Sequence, residues 1–157
     1  MNATTSSAIL HVDDDRNDVL FMQIAMRKAG LEKQLRVVED GQDAIDYFRG
    51  TGAYANREEY PLPCLVLLDI NMPRVTGLDV LKWIREQPTL ETVVVIMLTA
   101  SQQDSDIRRA CHLGANSYLV KPSNPLQLSE MMDAVRCYWL TFNQPTAAVL
   151  NLGLREG

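Results

Sequence analysis

The sequence predicts an α/β domain built on a doubly wound, five-stranded parallel sheet with five helices. Three observations predict it: short apolar runs recur along the chain, stretches with helical periodicity alternate with them, and several of the runs end in a polar or charged residue. Parallel neighbours in a sheet need a right-handed crossover, and the stretches between the runs are long enough to supply a helix for each. In an open sheet of this kind the ligand site lies beyond the carboxyl ends of the strands, so the residues that close the strands are the candidates for chemistry.

The first strand is expected over residues 8–12, a buried run that delivers Asp13, Asp14 and Asp15 to the sheet edge. Asp15 or Asn17 then caps a helix whose buried face is read as Leu20, Phe21 and Ile24 and whose end is Gly30. A second strand follows over residues 35–38. Asp40 caps a helix carrying Ala44, Ile45 and Phe48 on one side, ending near Gly50 and Gly52. A long loop through Asn56, Pro61 and Pro63 leads to residues 64–69, the strongest apolar run and the expected central strand. Pro73 and Gly77 turn the chain into a helix bearing Val80, Leu81 and Ile84, which stops near Pro88. The strand at 93–98 closes on Thr99, a helix at about 103–113 stops at Gly114, and the strand at 118–120 closes on Lys121 and Pro122. The last helix is expected over 125–142. Residues 1–7 read as a flexible lead and 143–157 as a tail.

The chain has 157 residues, 46% of them hydrophobic, which fits one domain with one sizeable core. Its longest apolar run is far short of a membrane span, and its first residues lack the pattern of a secretory signal, so a cytoplasmic protein is expected. Cys64, Cys111 and Cys137 fit neither a disulfide framework nor a zinc site and read as reduced, mostly packing cysteines. A net charge of −5 with no block of Lys or Arg argues against nonspecific binding to nucleic acid or membranes. Protein or a small molecule is the expected partner.

Asp13 and Asp14, Asp69, Thr99 and Lys121 all fall at the same sheet edge. Crowded carboxylates raise one another's pKa unless a cation is present, and hard oxygen ligands suit Mg²⁺, with Mn²⁺ or Ca²⁺ as substitutes. A carboxylate can attack phosphorus when a metal and a cationic side chain neutralise the transferring group. Asp69, Mg²⁺ and Lys121 could fill those roles. A single helix cap needs one carboxylate, and Asp15 is read as that cap. His11 and His112 lack ligand spacing and read as a partly buried strand residue and a helix-end residue.

Val12-Asp13-Asp14, Leu67-Leu68-Asp69-Ile70-Asn71-Met72-Pro73 followed by Gly77, Leu98-Thr99-Ala100, and Gly114-Ala115 leading to Tyr118-Leu119-Val120-Lys121-Pro122 carry a resemblance. In that order they resemble the receiver domains of two-component response regulators, over about residues 9–140. The resemblance implies a flavodoxin-like, CheY-like fold over residues 8–142, with Asp69 as phosphoacceptor and Asp13 and Asp14 as the acidic pocket. It implies a metal site completed by the backbone carbonyl of Asn71, and Thr99 and Lys121 against the phosphoryl oxygens. Tyr118 matches an aromatic switch position working with Thr99, and the Lys121–Pro122 peptide bond is expected to be cis.

What the resemblance implies about function is phosphorelay signalling: a sensor histidine kinase as donor, an unknown downstream protein as target, and no enzyme activity beyond the domain's part in its own phosphorylation and dephosphorylation. A phosphorelay intermediate or phosphate sink would carry identical chemical residues. An aspartyl-nucleophile phosphatase of the haloacid-dehalogenase type needs a second acid two residues after the nucleophile, where this chain has Asn71. The loop Gly50-Thr51-Gly52-Ala53-Tyr54, its extension to Pro63, and Tyr138-Trp139-Leu140 resemble the stand-alone regulators of bacterial phytochrome kinases. About fifteen residues follow Phe142, too few for a DNA-binding fold. In the last helix, Leu128, Met131, Val135 and Phe142 fit one stripe on the sheet, while Met132, Trp139 and Leu140 widen the apolar arc. With the apolar residues of the tail, that excess leads to the expectation of a homodimer.

Overall fold

The structure, a computed structural model, describes residues 8–143; the expected lead and the tail beyond Asn143 lie outside the described residues. Five parallel strands, β1 (Ile9–Val12), β2 (Leu35–Val38), β3 (Leu65–Leu68), β4 (Val94–Thr99) and β5 (Ser117–Val120), form one sheet in the order β2-β1-β3-β4-β5. The helices are α1 (Arg16–Lys28), α2 (Gly41–Arg49), α3 (Gly77–Glu86), α4 (Asp104–His112) and α5 (Pro125–Val135). This is the doubly wound architecture expected, and its strand order reverses between β1 and β3, where such sheets bind ligands.

Strand side chains alternate between two faces. Leu10, Val12, Val66, Leu68, Val95 and Met97 face the layer that contains Ala44, Phe48, Val80, Leu81, Ile84 and Ala110. Ile9, Leu65, Leu67, Ile96 and Leu98 face Met22, Ala25, Met26, Leu128, Met132 and Val135. The central strand is fully buried, and the expected core faces of α2 and α3 are the observed ones. No helix among the described residues is long and apolar enough to cross a membrane.

Caps set the helix starts. The Asp15 carboxylate accepts from the backbone N–H of Asn17 and Asp18, Asp40 from Asp43, and Asn124 from Leu126 and Gln127. Thr76 and Asp79 make a reciprocal capping box. Gly77 can only be glycine, because a Cβ there would overlap the backbone carbonyl oxygen of Asp69.

Several expectations are corrected. On α1, Met22, Ala25 and Met26 are the buried residues, while Leu20, Phe21 and Ile24 are exposed. The helix is apolar on more than one side, and packing against α5 chooses the other arc. On α5, Leu128, Met132 and Val135 point inward at helical spacing, so Met132 is core and not a free dimer contact. Met131, Trp139 and Leu140 are partly buried against the same cluster. The helix continues past Val135 as π-type turns over Arg136–Phe142, whose wider winding shifts the phase and leaves Phe142 70% exposed. No cis peptide bond occurs among the described residues, so Lys121–Pro122 is trans, the isomer intrinsically favoured by about 0.5–1 kcal/mol. Cys64 is partly buried and donates to the Ala8 carbonyl, but Cys111 and Cys137 are exposed rather than packed. His11 is fully buried, more so than expected, because its alternate face on β1 lies under α1 and α5.

Candidate functional site

The sheet ladder runs one step past the strands and fixes the site. Asp13 N–H donates to the Val38 carbonyl, Asp69 N–H to Val12, and Lys121 N–H to Thr99. Register therefore brings Asp13, Asp69, Thr99 and Lys121 to one edge. Asp13, Asp69 and Thr99 are buried, Lys121 is partly buried and Asp14 is exposed.

The Lys121 ammonium is the centre of the cluster. Its Nζ lies 2.8 Å from Asp13 Oδ2, 2.8 Å from Asp18 Oδ2 and 3.0 Å from Asp69 Oδ2. Burial alone would lower its pKa, but the close contacts with Asp13 and Asp18 and the charges of Asp69 and Asp13 outweigh burial and hold it above the ordinary lysine value. Burial pushes the Asp13 carboxyl up, yet the His11 imidazole, 3.6 Å away, and Lys121 together hold it below the usual carboxylate range. Asp14 is pushed up, first by burial and then by the charges of Asp13 and Asp69. Two adjacent aspartates thus have opposite tendencies.

Asp13, Asp14 and Asp69 can each present an oxygen within 4.8 Å of the others, which makes them a group able to hold a cation. Asn71 N–H points to Asp69 Oδ1 at 3.4 Å, and the loop carrying both residues is tied down by Gly77 N–H on the Ile70 carbonyl. On the other side, the Tyr118 hydroxyl donates to the Ser101 carbonyl at 2.9 Å, and the Ser101 hydroxyl donates to Asp106 Oδ2 at 2.6 Å. The Ser101 N–H faces Thr99 Oγ1 at 3.4 Å. A cavity of about 190 Å³ beside Lys121 is lined by His11, Asp18, Phe21, Pro122 and Leu128 among others.

Residues 9–133 match the family model described as the response regulator receiver domain. The chain belongs to the response regulator receiver family. Response regulator Rcp1 of Synechocystis sp. is 32% identical over 140 residues, covering 88% of this chain and 93% of that protein. The crystal structure of the phosphorylated cyanobacterial phytochrome response regulator RcpA superposes with a TM-score of 0.81 at 32% identity, covering 88% of this chain and 96% of that one. That of response regulator RPA3017 in red light signalling of R. palustris gives 0.83 at 33% identity, covering 89% and 98%. Membership places this receiver among phosphoacceptor domains rather than enzymes.

The structure gathers Asp13, Asp14, Asp69, Thr99 and Lys121 of this receiver at one edge as the sequence predicts, with Tyr118 tied to the loop after β4. Three participants were not legible as site residues. Asp18 reaches Lys121 from α1, His11 lies beneath Asp13, and Asp106 holds Ser101 from α4. Asp18 and Asp106 both stand in the first turn of a helix, where an acid is expected for the helix dipole alone, so their positions gave no distinguishing signal.

Proposed function

We propose that Asp69 accepts a phosphoryl group from the phosphohistidine of a sensor histidine kinase, and that the domain passes the signal on through protein contacts. The observation that carries this reading is Asp69 itself, buried at the reversal point of the sheet with Lys121 Nζ 3.0 Å from its carboxylate. In the step, an Asp69 oxygen forms a bond to phosphorus while the bond from phosphorus to the imidazole nitrogen breaks. The electron pair stays with the imidazole, which takes up a proton. Lys121 neutralises charge on the moving group, and Thr99, at the end of the strand next to β3, meets the phosphoryl oxygens.

The donor set suits Mg²⁺, or Mn²⁺ or Ca²⁺ in its place: Asp13, Asp14 and Asp69, with the Asn71 carbonyl completing the site. A bound divalent ion supplies electrostatic screening between Asp69 and the incoming phosphoryl oxygens. The charges of Asp13 and Asp69 add to burial in raising the Asp14 pKa, and a cation bound among the three would offset them.

The chain from Tyr118 through Ser101 to Asp106 favours a signalling role over a passive phosphate sink. It links the end of β4 to α4, so a change at Thr99 has a route to the surface. Relatives described as phytochrome response regulators support a phytochrome-type kinase as the donor. A homodimer is supported by Tyr138 and Phe142, 59% and 70% exposed on the extension of α5 beside the partly buried Trp139 and Leu140. Sedimentation at micromolar concentration tests it: a dimer weakened by Phe142→Ala is expected, and a monomeric wild type contradicts it.

The deciding experiment is transfer from purified, autophosphorylated histidine kinases of the same genome. An acid-labile phosphoryl label on the wild type and none on Asp69→Asn is expected. A label retained by the variant at the wild-type rate would overturn the assignment.

A further inference from the structure

The Lys121 ammonium donates to Asp18 and Asp69 and forms a close ion pair with Asp13, so it meets three carboxylates. Two of them, Asp13 and Asp69, belong to the group able to hold a cation. The third does not. Asp18 lies in the first turn of α1, its carboxylate is 36% exposed, and its ion pair with Lys121 is its one ion pair among the described residues.

We propose that Asp18 is a positioning residue that competes with the phosphoryl group for Lys121 and so limits how tightly the phosphorylated form is held. The inference rests on the phosphoacceptor reading of Asp69. Once Asp69 is phosphorylated to an acyl phosphate, the negative charge that Lys121 met on its carboxylate resides on the phosphoryl oxygens instead. Lys121 then divides its donors between those oxygens and Asp18. The Asp18 charge, 2.8 Å from the ammonium, also repels an arriving anion. Lys121 is only 15% exposed and keeps Asp13 as a partner 2.8 Å away, so neutralising Asp18 leaves its side chain in place. Charge, rather than loss of anchoring, therefore decides the direction of the effect.

The amide of Asp18→Asn can still accept a hydrogen bond from Lys121 Nζ while carrying no charge. Partly exposed ion pairs of this kind correspond to about a threefold to fivefold change in an equilibrium. Beryllofluoride, a phosphoryl mimic, provides a probe that needs no kinase. Calorimetric titration of the full chain in Mg²⁺ with beryllofluoride is expected to give binding about threefold to fivefold tighter for Asp18→Asn than for the wild type. Glu130→Gln, which removes a charge from the exposed side of α5, should bind as the wild type does. The gain should shrink in high salt, as an electrostatic competition requires and a packing change does not. Asp18→Ala, checked by its thermal melt, provides a second variant and should also bind more tightly than the wild type. Equal or weaker binding by both Asp18 variants, or the same gain in Glu130→Gln, would overturn the inference and leave Asp69 as the acceptor untouched. A wild type that binds no beryllofluoride would remove the phosphoacceptor reading and the inference with it.

Discussion

Arg57 and Lys121 are both partly buried cations, but the first is surrounded by neutral carbonyls and the second by carboxylates. Arg57, in the loop between α2 and β3, donates through Nη1 to the carbonyls of Tyr47 at 2.7 Å and Tyr60 at 3.1 Å, and through Nη2 to Phe48 at 2.6 Å. The rings of Tyr47, Tyr54 and Tyr60, two of which belong to residues whose carbonyls accept from Arg57, pack on one another with centroids 5.2–5.9 Å apart, and the Tyr47 hydroxyl donates to the Pro61 carbonyl. Lys121 meets Asp13, Asp18 and Asp69, with Asp14 beside them. Burial pulls the Arg57 pKa down, whereas the Lys121 pKa rises despite burial because of its acidic partners. One knot is complete and uncharged apart from its own cation. The other carries surplus negative charge that a further cation would relieve. A buried polar cluster that balances is a structural device; one left out of balance is prepared for a ligand.

The widest separation between the two clusters should come from Arg57→Ala. Three carbonyls lose a charged donor, and the variant should lose about 2–4 kcal/mol of stability in denaturant titrations. Its gain in stability from added Mg²⁺ should equal that of the wild type. A variant that also loses the Mg²⁺ response would break the comparison.

Asp13 and Asp14 sharpen it from the other side. The Asp13 pKa is depressed, so its contribution to stability is present above its unfolded value of about 3.8 and fades as pH falls through its lower folded value. Asp13→Asn should therefore be less stable than the wild type at neutral pH without metal, and the gap should close in acid. For Lys121, with a raised pKa, the contribution is present below its unfolded value near 10.5 and is lost only as pH rises through its higher folded value. Asp14 has the opposite sign to Asp13: raised in the fold, it costs stability once ionised. Asp14→Asn should stabilise the metal-free protein, by less than about 1 kcal/mol because the group is exposed and screened, while losing most of the gain from Mg²⁺. Melting curves across pH, with Mg²⁺ and with a chelator, check both signs. A destabilised Asp14→Asn would contradict the crowding account.

The sheet and the ends of its strands were legible because buried parallel strands are nearly continuous apolar runs, and Asp69 and Thr99 stand where such runs stop. Helix phase was legible where one face alone is apolar, as in α2 and α3. It was not on α1, where Leu20, Phe21 and Ile24 compete with Met22, Ala25 and Met26 and only the position of α5 decides. Nor was it at the end of α5, since the π-type winding that turns Phe142 outward has no local signature in the sequence. At the site, residues following strands announced themselves, whereas Asp18 did not. Its partner lies 103 positions away, a pairing that only the tertiary fold creates.

The most direct test of Asp69 as a phosphoacceptor on a cation-dependent edge is the intact mass of the protein after incubation with acetyl phosphate, with Mg²⁺ and with a chelator. The account predicts one added phosphoryl group on the wild type in Mg²⁺, none in the chelator and none on Asp69→Asn under either condition. An equal mass gain without a divalent ion, or on Asp69→Asn, would contradict it.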